Sequence, residues 1–278
     1  MRIVIAGGTG FLGRPLVAAF AADGHSASAL PRGSTDGVDG ADVVINLAGE
    51  SIAGHRWSRE HKQRVIESRV STTRLLVEAI RSATRPPRVF VSGSAVGYYG
   101  PHADEVITES APPGGDFLAR VCRAWEAEAI RAIDRTRLVL VRTGLVLERD
   151  GGALPQMLPP FWFGAGGQVG SGRQYWPWIH RGDWIALVRW AIGNDAVDGP
   201  LNATAPTPVT NKAFASALGR AMHRPAFMPA PAFALRLLLG EMADALLLTG
   251  QRAVPDKAVR LGFRFRYEKI DAALAALF

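Results

Sequence analysis

The sequence is poor in the residues that build several common kinds of site. Its 278 residues include a single cysteine, Cys122, which excludes an intrachain disulfide and makes cytoplasm the expected compartment. No cluster of His, Cys and carboxylate residues has metal-ligand spacing, and neither a Gly-x-Ser-x-Gly nor a Walker pattern occurs. We therefore expect no metal, and we set aside hydrolases and nucleoside triphosphatases that depend on those motifs.

Long apolar runs and blocks of positive charge are missing as well. The most apolar long region, residues 226–248, is interrupted by prolines and charged residues and predicts no membrane-spanning helix. The initial apolar run, residues 3–6, is too short for a signal peptide. The net charge of +7 comes from scattered arginines without interleaved aromatic residues. The expected partner is thus a small molecule, with no nucleic acid and no membrane.

Short aliphatic runs alternate with segments of helical periodicity. Buried parallel strands are predicted at 3–6, 26–30, 43–47, 89–92 and 138–141, and helices between them at 12–22, 60–83 and 117–133. This alternation predicts an α/β fold with a Rossmann-type, doubly wound parallel sheet. The connection 33–41 is too short for the usual third strand and its crossover helix.

The composition changes after Arg149 to a loop-rich texture of glycine, proline and tryptophan. We place a Rossmann core at 1–150, completed by about 183–205, and a smaller C-terminal substrate lobe at 151–278. After residue 150, helices are expected near 184–192, 211–222, 233–239 and 267–277.

A glycine-rich turn, Gly7-Gly8-Thr9-Gly10-Phe11-Leu12-Gly13, joins the first strand to the first helix. Glycines in this context permit a sharp turn, a close approach of backbone to a pyrophosphate and tight helix–strand packing. The helix start presents free N–H groups to phosphates. The predicted dinucleotide contacts are Gly7, Thr9, Gly10, Phe11, Leu12 and Gly13; the alternative is a tight turn without a ligand.

Arg32 follows the second strand, where proteins that prefer NAD carry an acidic residue for the ribose hydroxyl. A guanidinium there binds a 2′-phosphate, so we expect NADP(H), with NAD(H) as the weaker ligand. The alternative is a solvated surface arginine. The next strand ends in Leu47, Ala48, Gly49 and Glu50, which are predicted to line the cofactor unless they form only a strand-end turn.

The sequence as a whole resembles the extended short-chain dehydrogenase/reductase superfamily, and within it the atypical NAD-dependent epimerase-like family with a small helical C-terminal domain. The motifs that carry this resemblance are GGTGFLG at 7–13, NLAGESI at 46–52, SR..TT.LL at 68–76, VSGSAVGYYG at 91–100, FLARVCRAWEAEA at 117–129, VRTGLVLERDGGAL at 141–154, WPWIHRGD at 176–183, NATAPTPVTN at 202–211 and GFRFRY at 262–267. The resemblance implies an NAD(P)-binding core and a substrate lobe, and it adds Ser92, Gly93, Arg142 and Gly144 to the expected cofactor contacts.

The superfamily's oxidoreductases use a Tyr-x-x-x-Lys pair on one helical face as proton machinery. No such pair exists in this sequence. When Glu126 anchors the comparison, Leu118 and Cys122 stand where the tyrosine and the lysine would be. Cys122 itself is interpreted as core packing.

Ser94 matches the superfamily's catalytic serine, although a turn serine is an equally good interpretation. The candidate replacements for the missing acid/base are Tyr98, Tyr99 and His180. For at least one tyrosine we favour packing, and for the histidine a structural hydrogen bond to backbone, with Asp183 as the N-cap of a helix from Trp184.

The sequence is compatible with two functions. The first is an NADP(H)-dependent oxidoreductase or epimerase acting on a small, sugar-like substrate through a nonstandard active site. The second is a catalytically silent protein that binds NADP(H) as a structural or regulatory ligand. The substrate is not readable from the sequence, and neither is the choice between monomer and homodimer.

Overall fold

The computed structural model describes residues 1–278. Its strands are β1 (Arg2–Ala6), β2 (Ser26–Leu30), β3 (Val43–Asn46), β4 (Val89–Ala95), β5 (Val106–Ile107), β6 (Arg137–Thr143), β7 (Leu145–Leu147), β8 (Tyr175–Trp176), β9 (Trp178–His180), β10 (Gly199–Ala203), β11 (Val209–Thr210) and β12 (Arg252–Ala253). Six of them form one parallel sheet in the order β10-β6-β4-β3-β1-β2. The other six pair in three two-stranded sheets.

The helices are α1 (Gly13–Ala22), α2 (Arg59–Ser82), α3 (Phe117–Ile130), α4 (Leu154–Trp162), α5 (Arg181–Gly193), α6 (Asn211–Ala221), α7 (Ala232–Leu239), α8 (Glu241–Ala243), α9 (Asp256–Arg260) and α10 (Ile270–Ala275). A 3₁₀ turn covers Val96–Tyr99, and a π-helical turn covers Asp244–Leu248. None of the helices combines the length and apolarity needed to cross a membrane.

The sheet is covered on both faces. Leu16 and Phe20 of α1 and Trp184 of α5 pack in one apolar cluster on the first face. Leu76 of α2 and Ala129 of α3 pack in a second cluster on the opposite face. The central strands β1, β3, β4 and β6 are buried on both sides, which explains why they are largely continuous apolar runs rather than alternating ones. The predicted doubly wound Rossmann-type fold is confirmed.

β2 is an edge strand of this sheet, because it pairs only with β1. The chain from Pro31 to Asp42 returns to β3 through turns and contains no strand or helix. The usual third strand and its crossover helix are therefore absent here, as the shortness of this connection in the sequence predicted.

A smaller lobe follows the core, with its own apolar cluster. Leu158 of α4, Phe214 of α6 and Leu274 of α10 pack there around Trp178. The sequence predicted loop where α4 forms, because Pro159 and Pro160 lie inside that helix. β10 extends the core sheet beside β6. The exact division of the chain at residue 150 stays a prediction.

Candidate cofactor-binding and active site

The glycine turn after β1 depends on missing side chains at two positions. Gly7 has φ +78°, and a Cβ atom there would lie 2.8 Å from the backbone nitrogen of Ala48. A Cβ atom on Gly13 would overlap the carbonyl oxygen of Gly7. These contacts press the start of α1 against β1 and the turn after β3, which leaves the backbone of the glycine turn uncovered by Cβ atoms.

Free backbone donors line the start of α1. The N–H groups of Phe11, Leu12 and Gly13 donate no hydrogen bond within the protein, and no side chain caps the helix. About half a positive charge is associated with such a helix end. This is the arrangement that binds a pyrophosphate, so the residues present fit a dinucleotide. Phe11 is held from the other side, since its ring packs against Gly151 and Gly152.

Arg32 lies just beyond the end of β2, whose Leu30 pairs with Ala6 directly before the glycine turn. Its side chain is exposed and forms neither an ion pair nor a hydrogen bond with the rest of the protein. The guanidinium is thus available to an anionic ligand beside the turn. Its contact with a 2′-phosphate stays a prediction.

The loop after β3 is fastened to α2. Asn46 is fully buried, and its amide nitrogen donates to Thr73 at 2.8 Å. The backbone N–H of Glu50 donates to the hydroxyl of Ser68 at 3.0 Å, and the guanidinium of Arg69 donates to the carbonyl of Glu50 at 3.1 Å. These bonds give a physical reason for the SR..TT pattern, because it holds the Leu47–Glu50 loop against the sheet edge.

The two residues at the positions of the missing Tyr/Lys pair, Leu118 and Cys122, pack in the protein interior. Leu118 is buried in a cluster with Val65, Phe117 and Val121. Cys122 is buried, its thiol points to the carbonyl of Ala95 at 3.7 Å, and burial raises the pKa of the thiol to about 11. Neither side chain can exchange a proton near neutral pH.

A buried polar network fills the space below the end of β4. The carboxylate of Glu126 accepts from the hydroxyl of Ser94 at 2.6 Å and from Arg142 through two bonds of 2.9 and 2.8 Å. Arg142 also donates to the hydroxyl of Tyr99 at 3.0 Å, and that hydroxyl donates to Asn202 at 2.6 Å. The network links α3, β4, β6 and β10.

This network changes the roles expected for three residues, Tyr99, Arg142 and Ser94. Tyr99 is 1% exposed, and burial raises its pKa to about 12, so it is a poor proton donor. Arg142 is 2% exposed with its guanidinium bound to Glu126, which makes a contact with a cofactor unavailable to it. Gly144 lies outside the network, against Pro177, and its contact with a cofactor stays a prediction. Ser94 has already committed its proton to Glu126.

Ser92 and Gly93 lie inside β4. Ser92 is fully buried, and its hydroxyl makes only a long 3.4 Å contact with the carbonyl of Gly93. A Cβ atom on Gly93 would meet the ring of Trp125 at 2.8 Å. Gly93 is therefore required for packing of α3 on the sheet, and any cofactor contact of these two residues stays a prediction.

Tyr98 differs from its neighbour. It is half-buried, and its hydroxyl has no hydrogen-bond partner and keeps contact with solvent. The guanidinium carbon of Arg142 lies 3.5 Å from the centre of its ring. Tyr98 is the one proposed tyrosine that remains available for proton transfer.

His180 lies apart from this network and caps α5. Its Nδ1 accepts from the N–H of Gly182 at 3.0 Å, and its ring packs on Tyr267 with centroids 4.3 Å apart. The expected N-cap, Asp183, is wrong: the helix begins at Arg181, and the Asp183 carboxylate accepts from the backbone N–H groups of Arg266 and Tyr267. The structural role favoured for His180 agrees with these contacts.

The His180 cap predicts a pH dependence of stability. Burial lowers the pKa of His180 from 6.5, so the unfolded chain takes up a proton that the folded chain resists as pH falls through 6.5. Stability should decline over this range. In His180→Asn, which keeps a good N-cap, the decline should be smaller. Urea unfolding between pH 7.5 and 5.5 measures this, and identical slopes for the two proteins would contradict it.

No group of three or more His, Cys, Asp or Glu side chains is arranged to hold a metal ion.

Two residues of the site are not apparent from the sequence. Glu126 is the centre of the buried network, and no motif assigns it that place. The second residue is Arg69. Its signal was its place in the buried stripe of α2, between Val65 and Thr73 at four-residue spacing.

Comparison with known proteins agrees with this geometry. Residues 3–203 match the model of the NAD dependent epimerase/dehydratase family, and residues 230–277 match a domain of unknown function, DUF1731. The mouse protein named epimerase family protein SDR39U1 is 39% identical over 99% of this chain and 98% of its own length.

Two solved structures are similar over the whole chain. The human epimerase family protein SDR39U1 (isoform 2) with NADPH has a TM-score of 0.95 at 36% identity and covers 100% of this chain and 99% of that one. A nucleoside-diphosphate sugar epimerase from Corynebacterium glutamicum has a TM-score of 0.80 at 33% identity, covering 100% of this chain but 58% of that one. The glycine turn, the sheet order and these matches together establish that the chain belongs to the NAD dependent epimerase/dehydratase family of extended short-chain dehydrogenases/reductases.

Proposed function

We propose that this protein binds NADP(H) and uses it as an oxidoreductase or epimerase on a small, sugar-like substrate. The observation that carries the proposal is the glycine turn, with three free N–H groups at the uncapped start of α1. The human relative of known structure is described with NADPH, which supports the choice of cofactor. The second support is Arg32, an unpaired cation beside the turn.

Each site residue has a separate proposed role. Phe11, Leu12 and Gly13 hold the pyrophosphate through their backbone, and Arg32 binds the 2′-phosphate. When bound, the cofactor supplies or accepts a hydride at its nicotinamide. Tyr98 gives or takes the accompanying proton through its free hydroxyl. Ser94, whose own proton is held by Glu126, accepts a hydrogen bond from the substrate.

Arg32→Ala tests the cofactor assignment. The wild-type protein should quench or shift NADPH fluorescence saturably, and it should bind NADPH more tightly than NADH by about 10- to 150-fold, the range of a hydrogen bond to a charged group. Arg32→Ala should lose most of that preference while its affinity for NADH stays unchanged. Fluorescence titration, confirmed by calorimetry, measures all four affinities.

Arg264→Ala is the matched control, because Arg264 is also exposed and unpaired but lies in the C-terminal segment. It should leave both affinities unchanged. The cofactor assignment fails if wild-type protein shows no saturable binding. The role of Arg32 fails if the preference survives its replacement, or if NADH binding weakens as much as NADPH binding.

A silent NADP(H)-binding protein is the second candidate function. The observation that favours it is the fate of the usual proton machinery: Leu118 and Cys122 are buried, and the hydroxyls of Ser94 and Tyr99 are bound within the network. Under this alternative the protein binds NADPH tightly and consumes no substrate. Turnover by the wild-type protein separates the two functions.

A further inference from the structure

Helix α7 is apolar on every side, and yet it lies on the surface of the smaller lobe. Seven of its eight residues, AFALRLLL, are apolar, and none of the eight is buried. The side chains of Phe233, Leu237 and Leu238 are 75%, 77% and 69% exposed. A helix without a polar face is normally enclosed by protein. The contacts of α7 within one chain therefore do not account for its composition.

Two neighbouring segments extend this apolar surface. Backbone hydrogen bonds from Met228 to Gly166 at 3.0 Å and from Ala230 to Gln168 at 2.8 Å hold residues 225–230 beside residues 163–169, directly before α7. These segments add three exposed apolar side chains to the three of α7. The combined surface, which we call the lobe patch, consists of Phe163, Phe227, Met228, Phe233, Leu237 and Leu238.

The lobe patch is large for the surface of a single chain. Its six side chains are 49–86% exposed, and at about 150–250 Å² for a large side chain they present on the order of 800 Å² of apolar surface. The largest apolar patch of a typical monomer covers about 300–600 Å². Each partner in a standard protein–protein interface contributes about 800 Å². The size of the patch therefore matches a surface that a second protein covers.

The charges beside the patch favour a protein over a lipid surface as its partner. Arg236, the one charged residue of α7, donates to the carboxylate of Asp244 at 3.1 and 2.9 Å. Glu241, which follows α7, is paired with Lys62. Anionic membranes are recognised by clusters of about four to eight Lys and Arg residues, which α7 lacks. The centres of protein interfaces are instead poor in charge and rich in aromatic residues and Met.

We propose that the lobe patch is a homodimer interface, with α7 of each copy at its centre. An uncharged apolar patch is complementary to itself, so the same surface serves both copies across a twofold axis. The net charge of +7 on each copy opposes association, and a neutral patch lets the two copies meet while their charged residues stay in water. The inference is independent of the proposed function, because dimerisation requires neither NADP(H) nor turnover.

Sedimentation equilibrium of the full chain tests the proposal. The wild-type protein should have the mass of two chains. Phe233→Glu and Leu237→Glu, each made singly, should raise the dissociation constant of the dimer about 30-fold or more, the effect of losing an interface hot spot. Twofold symmetry places each new carboxylate in the interface twice. Phe163→Glu changes the other segment of the patch, should have the same effect, and replaces the helix variants if they do not fold.

Ile133→Glu is the matched control. Ile133 is 66% exposed like the residues of the patch, but it follows α3 and lies outside the patch. This variant should leave the dissociation constant of the dimer unchanged. Far-UV circular dichroism at the wild-type value identifies the variants that are folded and can be compared.

A wild-type protein that is still monomeric at about 0.1 mM overturns the proposal, and so does a dimer that persists in all three glutamate variants of the patch. Equal weakening of the dimer by Ile133→Glu also overturns it, because the effect is then not specific to the patch. A monomeric wild-type protein that sediments with vesicles of phosphatidylcholine and phosphatidylglycerol, and loses this binding in Phe233→Glu, overturns it in favour of a membrane surface.

Discussion

Arg142→Met is expected to lower the free energy of unfolding by about 3–5 kcal/mol, the range for removing one partner of a buried ion pair. The side chains of Arg142 and Glu126 are 2% and 6% exposed, so methionine leaves a carboxylate enclosed with Ser94 as its only remaining donor in the network. The hydroxyl of Tyr99 loses a partner at the same time. Urea denaturation followed by tryptophan fluorescence measures the loss.

The exposed pair of Arg220 and Asp271 offers a matched control. Their side chains are 63% and 59% exposed, and a pair of this kind contributes about 0–1 kcal/mol. Arg220→Met should therefore have little effect. The double variant Arg142→Met/Glu126→Leu should recover much of the stability lost by Arg142→Met, because no charge is then left buried. A loss from Arg142→Met no greater than that from Arg220→Met would contradict the assigned role.

The parts of this fold that the sequence predicts are local patterns. Residues 26–30 form β2 as expected, and the helix expected at 60–83 is α2 at Arg59–Ser82. Both follow from periodicity within one segment. The glycine turn was predictable for a similar reason, because its strand and helix neighbours are adjacent in the chain.

The network around Glu126 could not be predicted in this way. Arg142 stands at the carboxyl end of a central strand, where ligand contacts are common, and its sequence position does not show that it turns toward α3. That direction depends on Glu126, which is 16 residues away, and on Tyr99, 43 residues away. These long-range partners bind the guanidinium of Arg142, so it is not available for the expected contact with a cofactor.

The helix start near His180 shows a second limit. Both His180 and Asp183 are able to cap a helix, and the sequence alone favoured the acidic residue. In the structure Asp183 binds the backbone of the segment before α10, which lies more than eighty residues later in the chain. Asp183 is therefore not available to cap α5, and His180 caps the helix. The preference for an acidic residue as the N-cap contributes little free energy, and two backbone hydrogen bonds to a carboxylate contribute more.

Tyr98→Phe is expected to lower turnover by about 10²–10⁴-fold, the usual contribution of a general acid/base. Of the candidate groups, Tyr98 alone has a phenol that is unbonded, solvent-accessible and stacked on a cation at 3.5 Å. The assay follows NADPH oxidation and product formation on a panel of ketones and sugar nucleotides. NADPH affinity and unfolding free energy should stay at wild-type values, because the hydroxyl makes no bond in the fold.

Tyr99→Phe is the natural comparison, because it removes the neighbouring hydroxyl from the buried network instead. It should lower the free energy of unfolding by about 1–3 kcal/mol, because Asn202 and Arg142 each lose a hydrogen-bond partner. Turnover should fall only to the extent that this loss reduces the amount of folded protein. Full turnover in Tyr98→Phe would show that the proton comes from another group, with His180→Ala as the next variant to measure. If the wild-type protein binds NADPH tightly and consumes nothing on the panel, the second candidate function, silent binding of NADP(H), is supported instead.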